Sequence, residues 1–158
     1  MKRLFYVTLA IIMLTACSNR HDNEHTVKTF DGAHYIGTVT VQYNNESYEN
    51  NPITVDFTLN NKRDSVSITI YSIKFVPQMP VTIDVTIPSV KYAITDNGIV
   101  FSADKVVPYM GVVPVERYLV TGLDGTIAED KCNFSVNFGP YPTTFSGTEV
   151  LPLTVSGK

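Results

Sequence analysis

The chain has 158 residues, with 12 Lys and Arg against 15 Asp and Glu and a mean hydropathy of +0.04. That length bounds one domain with a sizeable core, and the mildly acidic balance excludes a basic footprint for nucleic acid or for an anionic lipid surface. Tryptophan is absent and cysteine occurs only at Cys17 and Cys132, so no disulfide framework exists to hold the fold together.

At the start, Lys2 and Arg3 precede an apolar run from Leu4 to Leu14. This is the layout of a secretory signal, and the run falls short of the roughly 20 apolar residues a spanning helix needs. Leu14-Thr15-Ala16-Cys17 follows, and it resembles the bacterial lipobox. The resemblance implies a signal peptide over residues 1–16, cleavage before Cys17, diacylglycerol on its sulfur and acylation of its amino group. One acyl chain holds a protein reversibly and two or more hold it stably, so Cys17 would anchor the chain to a membrane without any other contact. Ser18 stands where aspartate retains enterobacterial lipoproteins in the inner membrane, so the expected destination is the outer membrane. Residues 17–33 are polar and aperiodic, the composition of a tether. Within it His21 and His25 sit four apart, but without the Cys/His pairs of a structural zinc site, and no metal is expected there.

From residue 34 to residue 158 the reading is one all-β domain. Val39, Val41 and Tyr43 alternate with Thr38, Thr40 and Gln42; Ile53, Val55, Phe57 and Leu59 with Thr54, Asp56 and Thr58. Val66, Ile68 and Ile70 alternate with Ser67, Thr69 and Tyr71, and Val81, Ile83, Val85 and Ile87 with Thr82, Asp84 and Thr86. Period two with β-branched residues predicts half-buried antiparallel strands. Asn44-Asn45, Asn60-Asn61 and Asp96-Asn97-Gly98 supply turns that accept positive φ. Further strands are predicted over 99–102, 117–127, 132–138 and 143–150, with a bulge or bend at Asp124-Gly125 and a turn at Glu129-Asp130. Cys132 shares a face with Phe134, Val136 and Phe138, which points it inward. About eight strands at this spacing form a barrel or a sandwich. Closure removes exposed edges, and the chain lacks the tryptophan and disulfide of an immunoglobulin-like sandwich. The expected fold is an eight-stranded antiparallel up-and-down barrel, with that sandwich as the alternative.

Several pieces together resemble the calycin-like β-barrel lipoproteins of Bacteroidetes: Tyr35-Ile36-Gly37-Thr38-Val39-Thr40-Val41, Ile73-Lys74-Phe75 with Met79-Pro80, Val120-Thr121-Gly122, Phe134-Ser135-Val136-Asn137-Phe138 and Phe145-Ser146-Gly147. The resemblance covers residues 34–150 and implies a barrel of calycin or lipocalin type, without a known site. Gly37 is followed by Thr38-Val39, not by the Gly-X-Trp of ligand-binding lipocalins. In this context Asp22 and Glu24 resemble the acidic surface-export signal of such lipoproteins, and Asp64-Ser65-Val66 resembles their O-glycosylation acceptor.

Hydrolytic chemistry is hard to build here. His21, His25 and His34 all precede the predicted strands, so no base is positioned beside a nucleophile. Asp56 and Asp84 fall on outward positions and Asp64, Asp96, Glu129 and Asp130 in turns, with no pair set across a cleft. The chain is expected to be no enzyme and to use no cofactor. The stretch from Val106 to Pro114 is apolar and broken by Pro108, Gly111 and Pro114. It reads as a loop capping one barrel end, or as a lid or docking patch in which Pro108, Tyr109 and Met110 would meet a small apolar ligand or a protein partner. The function expected is that of an envelope lipoprotein whose barrel binds such a ligand or partner; the alternative is a component of a surface complex with a filled barrel.

Overall fold

The computed structural model describes residues 32–150. The expectations for the signal segment, Cys17 and the polar tether fall on residues outside these. The strands are β1 (Ala33–Tyr43), β2 (Glu46–Leu59), β3 (Val66–Ile73), β4 (Ile83–Thr95), β5 (Gly98–Ala103), the two-residue β6 (Tyr109–Met110) and β7 (Val113–Pro114), β8 (Val120–Ala128), β9 (Lys131–Phe138) and β10 (Tyr141–Glu149). A 3-10 turn, Glu116–Tyr118, precedes β8. The long strands pair antiparallel with their neighbours in sequence; β1 also pairs with β10, and β3 with β4. The sheet therefore closes on itself as an eight-stranded antiparallel barrel. One continuous sheet replaces the two that a sandwich requires.

Alternation places Tyr35, Val39 and Val41 inside from β1, Ile53, Val55 and Phe57 from β2, and Cys132, Phe134, Val136 and Phe138 from β9, each at 4% exposure or less. Strict period two fails where the ladder gains a residue. On β2 the register slips opposite Gly37/Val39, at Asn51-Pro52, so Asn50 before the slip and Ile53 after it both face inward. Ser72 and Ser89, each at φ 57, do the same for β3 and β4. Pro88 sits where β4 has lost its pairing with β6 at Thr86 and not yet met β5 at Lys91, so its missing N–H leaves no ladder bond unmade.

In β8 the irregularity falls between Thr121 and Asp124, with Gly122 at φ 57, and not at Asp124-Gly125. Gly125 instead faces inward, where an added Cβ would lie 2.3 Å from the Phe101 ring and 2.6 Å from Phe134. It is glycine because two phenylalanines occupy its side-chain space. The run predicted from residue 117 also divides, since Arg117 and Tyr118 belong to the 3-10 turn and the strand begins at Val120. Val81 precedes β4 and is 62% exposed.

The interior is packed along its length by aromatic rings. Tyr35, Phe57, Phe101, Phe134 and Phe145 contact in sequence at centroid distances of 5.6, 5.3, 6.1 and 5.1 Å. A second cluster stacks Phe75 on Tyr118 at 4.7 Å and on Tyr141 at 5.3 Å, with Phe138 at 5.2 Å.

The barrel has two unlike ends. At one, which we call proximal, the chain enters at Gly32 and leaves at Val150, whose N–H donates to the His34 carbonyl. Short turns join β4 to β5 and β8 to β9 there. At the far end two connections are as short, Asn44-Asn45 and Gly139-Pro140, and two run long, 74–82 and 104–119. Asn50, 7% exposed, donates to the Lys74 carbonyl and accepts from the Lys74 N–H, pinning the first connection. The Phe75 N–H donates to the Met79 sulfur. Phe75 and Tyr118, buried to 1% and 5%, thereby plug this mouth.

Candidate functional site

The segment expected to cap the barrel is part of its wall. Val106 bridges to Val120 of β8 by two backbone hydrogen bonds, 3.1 and 2.8 Å. Tyr109 and Met110 pair with Thr86 and Val85 of β4. Residues 106–110 thus resume the line of β5 after it stops at Ala103, and the cap is supplied by Phe75 and Tyr118 instead. Pro108 is buried, Met110 is half-buried against the core and Tyr109 is exposed. The three do not converge on a cavity. Beyond them the β6–β7 hairpin turns at Gly111, φ 62, and leaves Val112 at 91% and Val113 at 58% exposure. Antiparallel register aims this tip along β4 toward its first residues, and Val81 lies just before them. The far end therefore carries exposed aliphatic side chains on both of its long connections. Nothing in the sequence distinguished these valines from strand residues, because exposure depends on where the hairpin ends.

Among the described residues the inward side chains are closely packed. A void wide enough for water would leave accessible surface on the side chains around it, yet Val39, Val55, Phe57, Ile68, Ile70, Val85, Ile87 and Phe138 are all 0% exposed. Bulky inward residues fill an eight-stranded barrel. The clefts lie on the outer wall. One, of about 460 Å³, crosses β1, β10, β9 and β8 and is lined by Thr38, Thr40, Thr126, Asn133, Thr144 and Ser146 among others. A neighbouring one of about 130 Å³ shares Thr40 and Thr144 with it. Apart from Ile36, at 42% exposure, and Ala128 and Pro142, outward positions on these strands are polar, the reverse of a transmembrane barrel with its lipid-facing apolar band.

His34 belongs to β1, where the sequence reading had left the barrel without histidine. Its Nδ1 lies 2.5 Å from Asp56 Oδ1 on the outer face, at 41% and 32% side-chain exposure. Tyr71 donates to the same carboxylate, and burial followed by this bond raises its pKa. Among the described residues no hydroxyl or thiol is hydrogen-bonded to His34 Nε2. No group of three or more His, Cys, Asp or Glu among them is placed to hold a metal ion. Cys132 is fully buried, as its strand phase predicted, and burial pushes its thiol pKa up, away from thiolate reactivity. Burial, then Glu149, pushes the Tyr35 phenol up as well. Ser65 is 5% exposed with its hydroxyl donating to Asp64, so the folded chain does not present it as a glycosylation acceptor.

A family model, the prokaryotic membrane lipoprotein lipid attachment site, matches residues 1–18. With the barrel, this makes the chain a lipid-anchored lipoprotein of the cell envelope. No curated protein and no solved structure matches it.

Proposed function

We propose that the barrel is a filled, non-enzymatic scaffold that docks an envelope protein partner at its far end, through Tyr109, Val112, Val113 and Val81. The observation that carries this reading is the pairing of a packed interior with large aliphatic side chains left open on the β6–β7 hairpin. Exposed apolar clusters mark interaction sites more often than isolated ones do. Cys17 lies upstream of Gly32, so the anchor joins the barrel at its proximal end. The resemblance to calycin-like lipoproteins of Bacteroidetes and the serine after Cys17 both fit an outer-membrane location for this scaffold.

The test is photo-crosslinking in the native host with a benzophenone amino acid at position 112, compared with one at Thr58 on the outer wall. A discrete adduct from 112 that is absent from 58 supports the reading. Identical patterns from the two positions overturn it.

A further inference from the structure

We propose that the partner at the far end adds a basic, extended segment as a strand along the free edge of β2, which rests on the docking proposed above. β2 pairs with β1 from Glu46 to Phe57, but β3 lies against it only from Val55 to Leu59. Where β3 ends, the Asn50 side chain takes both the N–H and the carbonyl of Lys74. The departing chain is thus tied to a side chain and not to the β2 backbone. From Glu46 to Glu49 the side of β2 away from β1 meets no strand among the described residues.

Register fixes which backbone groups are left over. Asn44 and Asn45, at φ 51 and 64, form a two-residue hairpin turn that closes Tyr43 onto Glu46 as a hydrogen-bonded pair. From there successive residues alternate between bonding across to β1 and turning their groups away from it. Ser47 and Glu49 therefore direct their N–H and C=O to the open side. Both residues are exposed, and none of these groups bonds to a described residue there.

Other places where a strand loses its neighbour carry a proline. Pro52 stands where β3 leaves β2, Pro88 between the β6 and β5 pairings of β4, and Pro114 on β7. The Val115 N–H bonds the Pro108 carbonyl, so the nitrogen of residue 114 faces the outer side of its hairpin. Proline there removes the donor an added strand would use. Ser47-Tyr48-Glu49 has no such guard. Its free groups recur about every 6.8 Å along the strand, the repeat of the alternate residues of an added strand. The side chains select its charge. Glu46 and Glu49 are exposed, and neither pairs with a cation among the described residues. Opposite charges facing each other across strands are favourable, so the added segment carries Lys or Arg.

The full lipidated chain, in its native host and with the benzophenone at position 112, is compared with Ser47→Pro, Ser47→Ala and Glu49→Lys. Ser47→Pro deletes one outward N–H and leaves the ladder to β1 whole, whereas Ser47→Ala keeps that N–H. The 112 adduct is expected to fall about fivefold in Ser47→Pro, the loss of one hydrogen bond, and about threefold in Glu49→Lys. Ser47→Ala should match the parent. Thermal melts of the purified variants check folding, and Glu49→Lys, a change to an exposed side chain, decides alone if Ser47→Pro melts early. A parent-level adduct in folded Ser47→Pro or in Glu49→Lys overturns strand addition and leaves the docking reading standing. An equal loss in Ser47→Ala, or an adduct with the mass of two copies of this chain, also overturns it. Identical patterns from positions 112 and 58 in the parent instead remove the docking reading, and this proposal with it.

Discussion

The proximal and far ends of the barrel close by different physics. At the proximal end local turns do the work: Asp96-Asn97 turns β4 into β5, Glu129-Asp130 turns β8 into β9, and Asn60 holds Asp64 through its side-chain oxygen and nitrogen. At the far end Asn44-Asn45 and Gly139-Pro140 also turn tightly, but the two long connections, 74–82 and 104–119, leave an open mouth that side chains fill. Phe75 packs against both Tyr118 and Tyr141, which also touch each other, and Asn50 fixes the backbone beside it. Local chemistry suffices where chain neighbours meet. Where they do not, closure depends on residues brought from β2, the 74–82 connection, the 3-10 turn and β10 at once. The surplus length at that end is also what leaves a hairpin free to project.

Removing the plug should have the largest effect. Phe75→Ala strips a fully buried ring from the stack and is expected to cost about 3–5 kcal/mol in urea unfolding. A loss below about 1 kcal/mol would mean that the far end does not depend on its aromatics. Gly125→Val comes next, with about 1–3 kcal/mol lost to overpacking against Phe101 and Phe134. Asn50→Ala leaves the Lys74 N–H and carbonyl without their partner, at about 1–3 kcal/mol. Hydrogen exchange should then quicken at 74–76 while the proximal turns stay as they were. Equal quickening at both ends would dissolve the distinction between them.

Alkali should act on the other half. Tyr35 and Cys132 lie near the proximal end, and burial raises the pKa of each in the fold. In the unfolded chain they ionise near about pH 10 and 8.5. A raised folded pKa means that stability is full below these values and falls as pH rises past them, because the unfolded state then releases protons the folded state keeps. Thermal melts should therefore weaken above about pH 9, and Tyr35→Phe should make that decline shallower. An unchanged slope would separate the phenol from the effect. The smallest stability change belongs to Val112→Ser, within about 0.5 kcal/mol of the parent, since its side chain is 91% exposed. Only partner capture should suffer.

The barrel was legible because alternation is local. Val39 to Tyr43 or Cys132 to Phe138 reads correctly residue by residue, and the turns announce themselves through Asn and Gly. What escaped the sequence is set by pairing. A one-residue slip at Asn51-Pro52 turns Asn50 inward, yet nothing in the string Glu49-Asn50-Asn51-Pro52 marks which residue is the extra one. The 106–114 stretch shows the same limit. Two prolines and a glycine looked like a loop over a mouth, whereas its backbone bonds to Val120 and β4 place it in the wall. His34 precedes the predicted strands because alternation becomes visible only at Tyr35. The outer cleft was invisible for a related reason: Thr38, Ser146, Asn133 and Thr126 are remote in sequence and aligned only by register.

The account rests on a barrel with nothing inside it. Native mass spectrometry of the lipidated protein, purified from its own host, weighs the chain together with whatever it holds. The prediction is polypeptide and acyl chains alone after an exchange into detergent free of added ligand. A small apolar molecule retained in a stoichiometric amount, and released only on unfolding, would contradict it.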